Sequence, residues 1–143
     1  MELIIIVGLP CSGKTTKTKD YQDNFIIFDD FLDNYYNFEL KNNFKNNKKI
    51  CINDPRLCNI KTFKLIMNDI FEYGNYENIQ VLLFKNEYEK CLNNSINRNK
   101  DLILQNRINN TIKNLSKIYN LDEFINYLNT INNISYEILN VFN

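Results

Sequence analysis

Apolar and polar positions alternate in blocks along the chain. Leu3–Val7 is an unbroken apolar run rich in β-branched residues, stopped by Gly8. Such a run predicts a strand buried on both faces of a parallel sheet. Gly8–Thr15 predicts a loop, and a polar helix follows to about Gln22. Phe25–Phe28 predicts a second, short strand. Asp29–Phe44 predicts a helix that turns Phe31, Leu32, Tyr35, Tyr36 and Phe38 toward the core. Ile50–Ile52 predicts a third strand, closed by Asn53, Asp54 and Pro55.

The second half repeats the alternation. Ile60–Tyr73 carries Phe63, Ile66, Met67, Ile70 and Phe71 at helical spacing, with Gly74 as its C-cap. Ile79–Phe84 predicts a fourth strand and Glu87–Arg98 a short helix. Leu102–Tyr119 predicts a longer helix with Leu104, Ile108, Ile112, Leu115 and Ile118 on one stripe. Leu121–Ile131 predicts a last helix, and Ile134–Val141 alternates like a last strand. Strands alternating with helices imply a parallel sheet covered on both sides.

Composition narrows the classes. The 143 residues suit one domain, 1–143, and 44% are apolar, enough for a core. Seventeen basic and seventeen acidic residues cancel, which excludes a wholly basic nucleic-acid coat protein and an acidic disordered tail. No apolar run approaches the roughly 20 residues of a membrane span, and the opening stretch is too short for a signal peptide. Cys11, Cys51, Cys58 and Cys91 have no CxxC spacing and the chain has no His. Zinc and a disulfide framework are therefore not expected, and reduced thiols in a cytoplasmic compartment are. Without His, acid–base chemistry must fall to Asp, Glu, Lys, Tyr or Cys. The abundance of Asn, Ile and Lys, with no Ala, reads as coding bias toward A/T. A viral genome is one such source, and it would put the protein in a host cytoplasm.

The strongest motif is Gly8-Leu9-Pro10-Cys11-Ser12-Gly13-Lys14-Thr15, a full match to G-x-x-x-x-G-K-[ST]. Two glycines free the backbone so that successive amides can point inward at phosphate oxygens. Lys14 can span the outer phosphates and the Thr15 hydroxyl can ligate Mg2+. The loop follows an apolar strand and precedes a helical pattern, the context the motif needs. Gly8, Pro10, Cys11, Ser12, Gly13, Lys14, Thr15 and Thr16 are thus the expected ATP-binding residues. The fold class expected is a three-layer α/β/α P-loop NTPase with about five parallel strands in the order 2-3-1-4-5.

Three further features surround the loop. Asp29 and Asp30 end the second strand, where the carboxyl ends of parallel strands line a ligand crevice. A carboxylate there can take a proton from an attacking hydroxyl, or simply cap the next helix. Asp54, at the end of the third strand, can hold the water shell of a metal ion, or start an Asp-Pro turn; the two are compatible. Only three Arg stand against the many Lys: Arg56, Arg98 and Arg107. Arg98 opens a polar stretch suited to a closing lid over about 93–107, with Arg107 a second lid contact or a solvated residue and Arg56 facing the acceptor. Lys41, Lys45, Lys48 and Lys49 form a run beside Phe38 and Phe44 that either tracks a phosphate backbone or is a solvated helix end.

From Met1 to about Tyr119 the chain resembles the kinase domain of phage-type polynucleotide 5′-hydroxyl kinases. The likeness rests on the glycine loop, the Asp pair, the acid after the third strand, and Cys91-Leu92-Asn93-Asn94-Ser95-Ile96-Asn97-Arg98, which is similar to that family's lid pattern. The resemblance implies Asp29 as general base, Lys14 and Arg98 as charge stabilisers, and Thr15 with Asp54 at the magnesium. Asn94 replaces the first lid Arg, and Leu32 replaces an Arg that grips the acceptor's phosphate. No phosphatase segment follows, so an end-healing enzyme of two activities is not expected. The expectation is an ATP- and Mg2+-dependent phosphotransferase acting on a hydroxyl, foremost a polynucleotide 5′ end, with Asp30, Arg56 and Arg107 toward the acceptor. A small nucleoside or nucleotide kinase and a weakly hydrolysing nucleotide-binding regulatory module are the alternatives.

Overall fold

The computed structural model describes residues 2–34, 42–43, 45–46, 48–74 and 76–142. Five strands, β1 (Glu2–Val7), β2 (Ile26–Phe28), β3 (Ile50–Asn53), β4 (Asn78–Phe84) and β5 (Ile134–Leu139), form one sheet in the order β2-β3-β1-β4-β5. All four strand pairs are parallel, with Leu3 beside Ile50 and Ile79, and Leu83 beside Ile138. Helices α1 (Lys14–Thr18), α2 (Ile60–Tyr73), α3 (Tyr88–Arg98), α4 (Leu102–Ile118) and α5 (Leu121–Leu128) pack around it, giving the expected three-layer α/β/α fold.

The core follows from the strand sequences. Leu3–Val7 are all buried because β1 sits at the centre of the sheet, covered on both faces. Phe63 of α2 meets Phe124 of α5 edge to face, ring centroids 5.0 Å apart, and Tyr119 packs on Phe124 at 5.5 Å. Asn, so frequent in this chain, caps helices: Asn59 accepts from the Lys61 amide at 3.0 Å and Asn120 from the Asp122 amide at 3.0 Å. Among the described residues no helix is long and apolar enough to cross a membrane.

Several expected elements change shape. The helix after the glycine loop spans only Lys14–Thr18 before turns take over. Instead of a helix from Asp29, the chain makes a turn with Asp30 at φ 48° and then a 3-10 turn over Phe31–Asn34. The cause is local: Asp33 N–H bonds back to Asp30 O at 2.9 Å, and Leu32 N–H is drawn to the Asp54 carboxylate at 3.0 Å. Phe31 is buried as expected. Tyr35, Tyr36, Phe38, Lys41 and Phe44 lie outside the described residues. Phe71 is 44% exposed, and the ends of the α4 stripe, Leu104 and Ile118, are also exposed, leaving Ile112 as its buried centre. Gly74 does cap α2, but in an extended conformation and not the left-handed one. The last helix stops at Leu128 and the last strand at Leu139.

Candidate functional site

The carboxyl ends of β1, β2 and β3 meet at one edge of the sheet, and the loop Gly8–Gly13 springs from that edge. Two loop residues take left-handed backbone angles, Cys11 at φ 62° and Gly13 at φ 107°. Gly8 serves differently from expectation. Its requirement is closeness, since a Cβ there would come within 2.6 Å of Ser12 Oγ and 3.0 Å of Phe84 Cβ. Ser12 N–H closes the loop onto Leu9 O at 3.2 Å, and the Ser12 side chain is buried beneath it.

Lys14 is buried, with Nζ donating to Leu9 O at 2.7 Å. Burial lowers its pKa from the ordinary value, while neighbouring thiols and Asp54 pull the other way. Those thiols do not neutralise it, because burial pushes Cys58 and Cys91 up to about 12. An ammonium held by a single carbonyl in a dry site has strong reason to take an anionic partner.

Beside Lys14 the exposed Thr15 hydroxyl donates to Asp29 Oδ2 at 3.3 Å, and Asp29 Oδ1 accepts from the Asp30 amide at 3.2 Å. Burial, then the neighbouring Asp29, raises the pKa of Asp30. Thr15, Asp29 and Asp30 share a cavity of about 450 Å³ with Lys14, Asn53, Arg98 and Arg107. The structure thus brings the glycine loop, the Asp pair and two of the three arginines together.

Asp54 and Arg56 take other tasks. Asp54 is wholly buried, and its oxygens accept from Arg56 N at 2.8 Å, Arg56 Nε at 2.9 Å, Arg56 Nη2 at 2.7 Å and Leu32 N at 3.0 Å. A carboxylate so fully engaged is a brace between β3 and the 3-10 turn after β2, and does not fit the metal-anchoring role expected of it. Arg56 is likewise spent on Asp54 and Asp33, and these bonds raise its pKa further.

The residue of β3 that does line the cavity is Asn53, 1% exposed, whose Nδ2 has no hydrogen-bond partner among the described residues. Sequence reasoning passed over it for the adjacent carboxylate. The strand's alternation was the available signal, because residues 53 and 54 must point to opposite sides.

A second cavity, about 600 Å³, is lined by Cys11, Gly13, Thr16, Asn97, Arg98 and Phe142. Phe142 was not anticipated. Its N–H donates to Ser12 O at 3.1 Å, its ring stands edge-on to Phe84 at 5.8 Å, and a Cβ on Gly13 would strike that ring at 2.5 Å. Asn94 donates through Nδ2 to Cys11 O at 3.0 Å and to Phe142 O. It therefore ties α3, the loop and the segment after β5 together.

Among the described residues of the lysine run, Lys45, Lys48 and Lys49 line neither cavity. Lys49 pairs with Glu2 at 3.9 Å and lies over Phe25, and Lys45 lies over Tyr73. Another cavity, about 460 Å³, lies at the opposite end of the strands, and Glu2 is its one titratable residue. Among the described residues no group of three or more His, Cys, Asp or Glu side chains is placed to hold a metal ion. The Thr15 hydroxyl oxygen is a hard donor of the kind Mg2+ takes together with phosphate oxygens.

The fold and site define an α/β protein with a glycine loop and a carboxylate facing each other across one crevice. No family model matches the chain. Over 102 residues it is 42% identical to the uncharacterized protein R277 of Acanthamoeba polyphaga mimivirus, a match covering 68% of this chain and 73% of that protein. The chain belongs to the same family as that mimivirus protein.

Proposed function

We propose that the protein is an ATP-dependent phosphotransferase that moves the γ-phosphate to a hydroxyl, foremost the 5′-hydroxyl of a polynucleotide, as in the kinase family it resembles. The observation that carries this reading is the single cavity holding Lys14, Thr15 and Asp29 above the glycine loop. The loop amides and Lys14 bind the triphosphate, Lys14 exchanging its bond to Leu9 O for phosphate oxygens. Thr15 is the residue that would hold Mg2+, which neutralises phosphate charge when bound. Asp29 takes the acceptor's proton. The acceptor oxygen then bonds to the γ-phosphorus as the bridging bond breaks, and ADP leaves. Arg98, which lines both cavities, offsets the charge spread over the transferred group. A viral protein acting in the host cytoplasm accords with the mimivirus relative and the membrane-span result.

A second reading, a kinase of nucleosides or nucleotides, is favoured by Leu32 and by a cavity that suits one small acceptor. The test is incubation with γ-labelled ATP and Mg2+ alongside 5′-hydroxyl DNA, 5′-hydroxyl RNA, nucleosides and mononucleotides. Label on oligonucleotides supports the first reading and label on monomers the second. Free phosphate alone would reduce the protein to a nucleotide-binding module.

A further inference from the structure

The order β2-β3-β1 sets the carboxyl end of β3 between two strand ends with different duties. On one side β1 runs into the glycine loop and Lys14, and on the other β2 ends at Asp29. The register fixes the neighbours. Asn53 pairs with Ile6, two residues before Gly8, and Ile52 pairs with Phe28, the residue before Asp29. A phosphoryl group that leaves a nucleotide held on the loop for a hydroxyl held at Asp29 must therefore pass over the end of β3. Asn53 lines the cavity at this point, 1% exposed, and among the described residues its Nδ2 meets no acceptor. A buried donor without an acceptor is costly to keep, unlike an exposed one that water satisfies. The neighbouring carboxylate is held elsewhere, because Asp54 is taken up by Arg56 and the Leu32 amide. The end of β3 thus offers a passing anion a neutral donor in place of a repelling charge.

We infer that Asn53 is a catalytic residue whose Nδ2 donates to an oxygen of the γ-phosphoryl group, in the bound triphosphate and during its transfer. This rests on the phosphotransferase reading and adds to it a contact that neither the glycine-loop motif nor the resemblance supplies. In the transfer an electron pair of the acceptor oxygen forms the new bond to the γ-phosphorus. The bond from that phosphorus to the bridging oxygen breaks, and its electron pair leaves on ADP. The acceptor's proton goes to Asp29, and Asn53 gives up none. A donor fixed by burial needs no reorientation as charge shifts over the equatorial oxygens. It also reads the length of the phosphate chain, since ADP carries no group to this point.

The test is calorimetry with Mg2+ and two nucleotides, ADP and the non-hydrolysable ATP analogue with a nitrogen bridge between its β- and γ-phosphates. Asn53→Leu keeps the volume of the side chain and removes the donor. Without nucleotide its Tm should equal or exceed that of the wild type, because a buried donor that nothing satisfies is lost. Its affinity for the analogue should fall about tenfold, while that for ADP stays within about twofold. Asn53→Asp keeps the shape and should weaken the analogue further, by setting a negative charge against the γ-phosphate. Single-turnover transfer from γ-labelled ATP should fall in both variants. A Tm well below that of the wild type in Asn53→Leu, or an equal loss on both nucleotides, would make Asn53 a structural residue and overturn the inference. Tighter binding of the analogue by Asn53→Asp would move the residue to the metal and overturn it as well. An analogue affinity unchanged in Asn53→Leu would overturn the inference alone, with labelled acceptor in the wild type keeping the phosphotransferase reading. If the wild type binds neither nucleotide, both fall together.

Discussion

Arg56 holds Asp54 as a fork: Nε donates to Oδ1 at 2.9 Å and Nη2 to Oδ2 at 2.7 Å. The carboxylate is fully buried while the guanidinium is half exposed. Replacing Arg56 by Ala would leave a buried anion with only backbone donors. Arg56→Ala should cost roughly 2–3 kcal/mol, less than for a pair buried on both sides. Urea unfolding checks this, and Arg56→Lys should recover only part of the loss because a lysine cannot reproduce the fork.

Asp29→Asn keeps the shape of the side chain and removes its basicity. Phosphoryl transfer should fall by about 100-fold or more, with ATP affinity within about twofold of wild type. Single-turnover transfer and calorimetry read the two quantities separately. Unchanged transfer would take Asp29 out of the mechanism.

Asn94→Ala removes the donor shared by Cys11 O and Phe142 O. The loss should be about 1–2 kcal/mol, a fall in Tm of roughly 3–8 °C for a domain of this size. The Phe142 amide, bonded to Ser12 O, should exchange faster with deuterium than in the wild type. A variant with unaltered exchange at Phe142 would show that α3 does not hold this segment.

Glu87 makes stability depend on pH. It accepts from the Val141 amide at 2.8 Å and pairs with Lys90 at 3.4 Å, and these contacts lower its pKa below the ordinary 4.5, the backbone bond contributing most. The folded state holds the ionised form more firmly than the unfolded state does. The stabilisation is therefore complete well above pH 4.5 and is lost as the pH falls through the lowered value. Glu87→Gln should melt below wild type at pH 7, and the gap should close on acidification. A gap of constant size from pH 7 to 3 would contradict this.

Much of the fold was legible because its signals are local. The apolar run Leu3–Val7 could only be a central strand, and the stripe from Ile60 to Tyr73 has the same limits as α2. The glycine loop was legible for the same reason. What escaped the sequence depends on distant partners or on a single residue of phase. The turn at Asp29–Asn34 is set by a carboxylate 22 positions from Leu32. The choice between Asn53 and Asp54 at the end of β3 is one step of alternation. Asn94 meets Cys11 across 83 positions and Phe142 across 48, a separation no local pattern records.

The bond from Phe142 to Ser12 has a consequence for synthesis. The glycine loop leaves the ribosome well before residue 142, yet one of its walls is supplied by that residue. A nascent chain halted before that residue carries the whole motif without the ring that backs Gly13 or the amide that binds Ser12 O. Full assembly of this half of the crevice therefore waits for translation to pass Phe142.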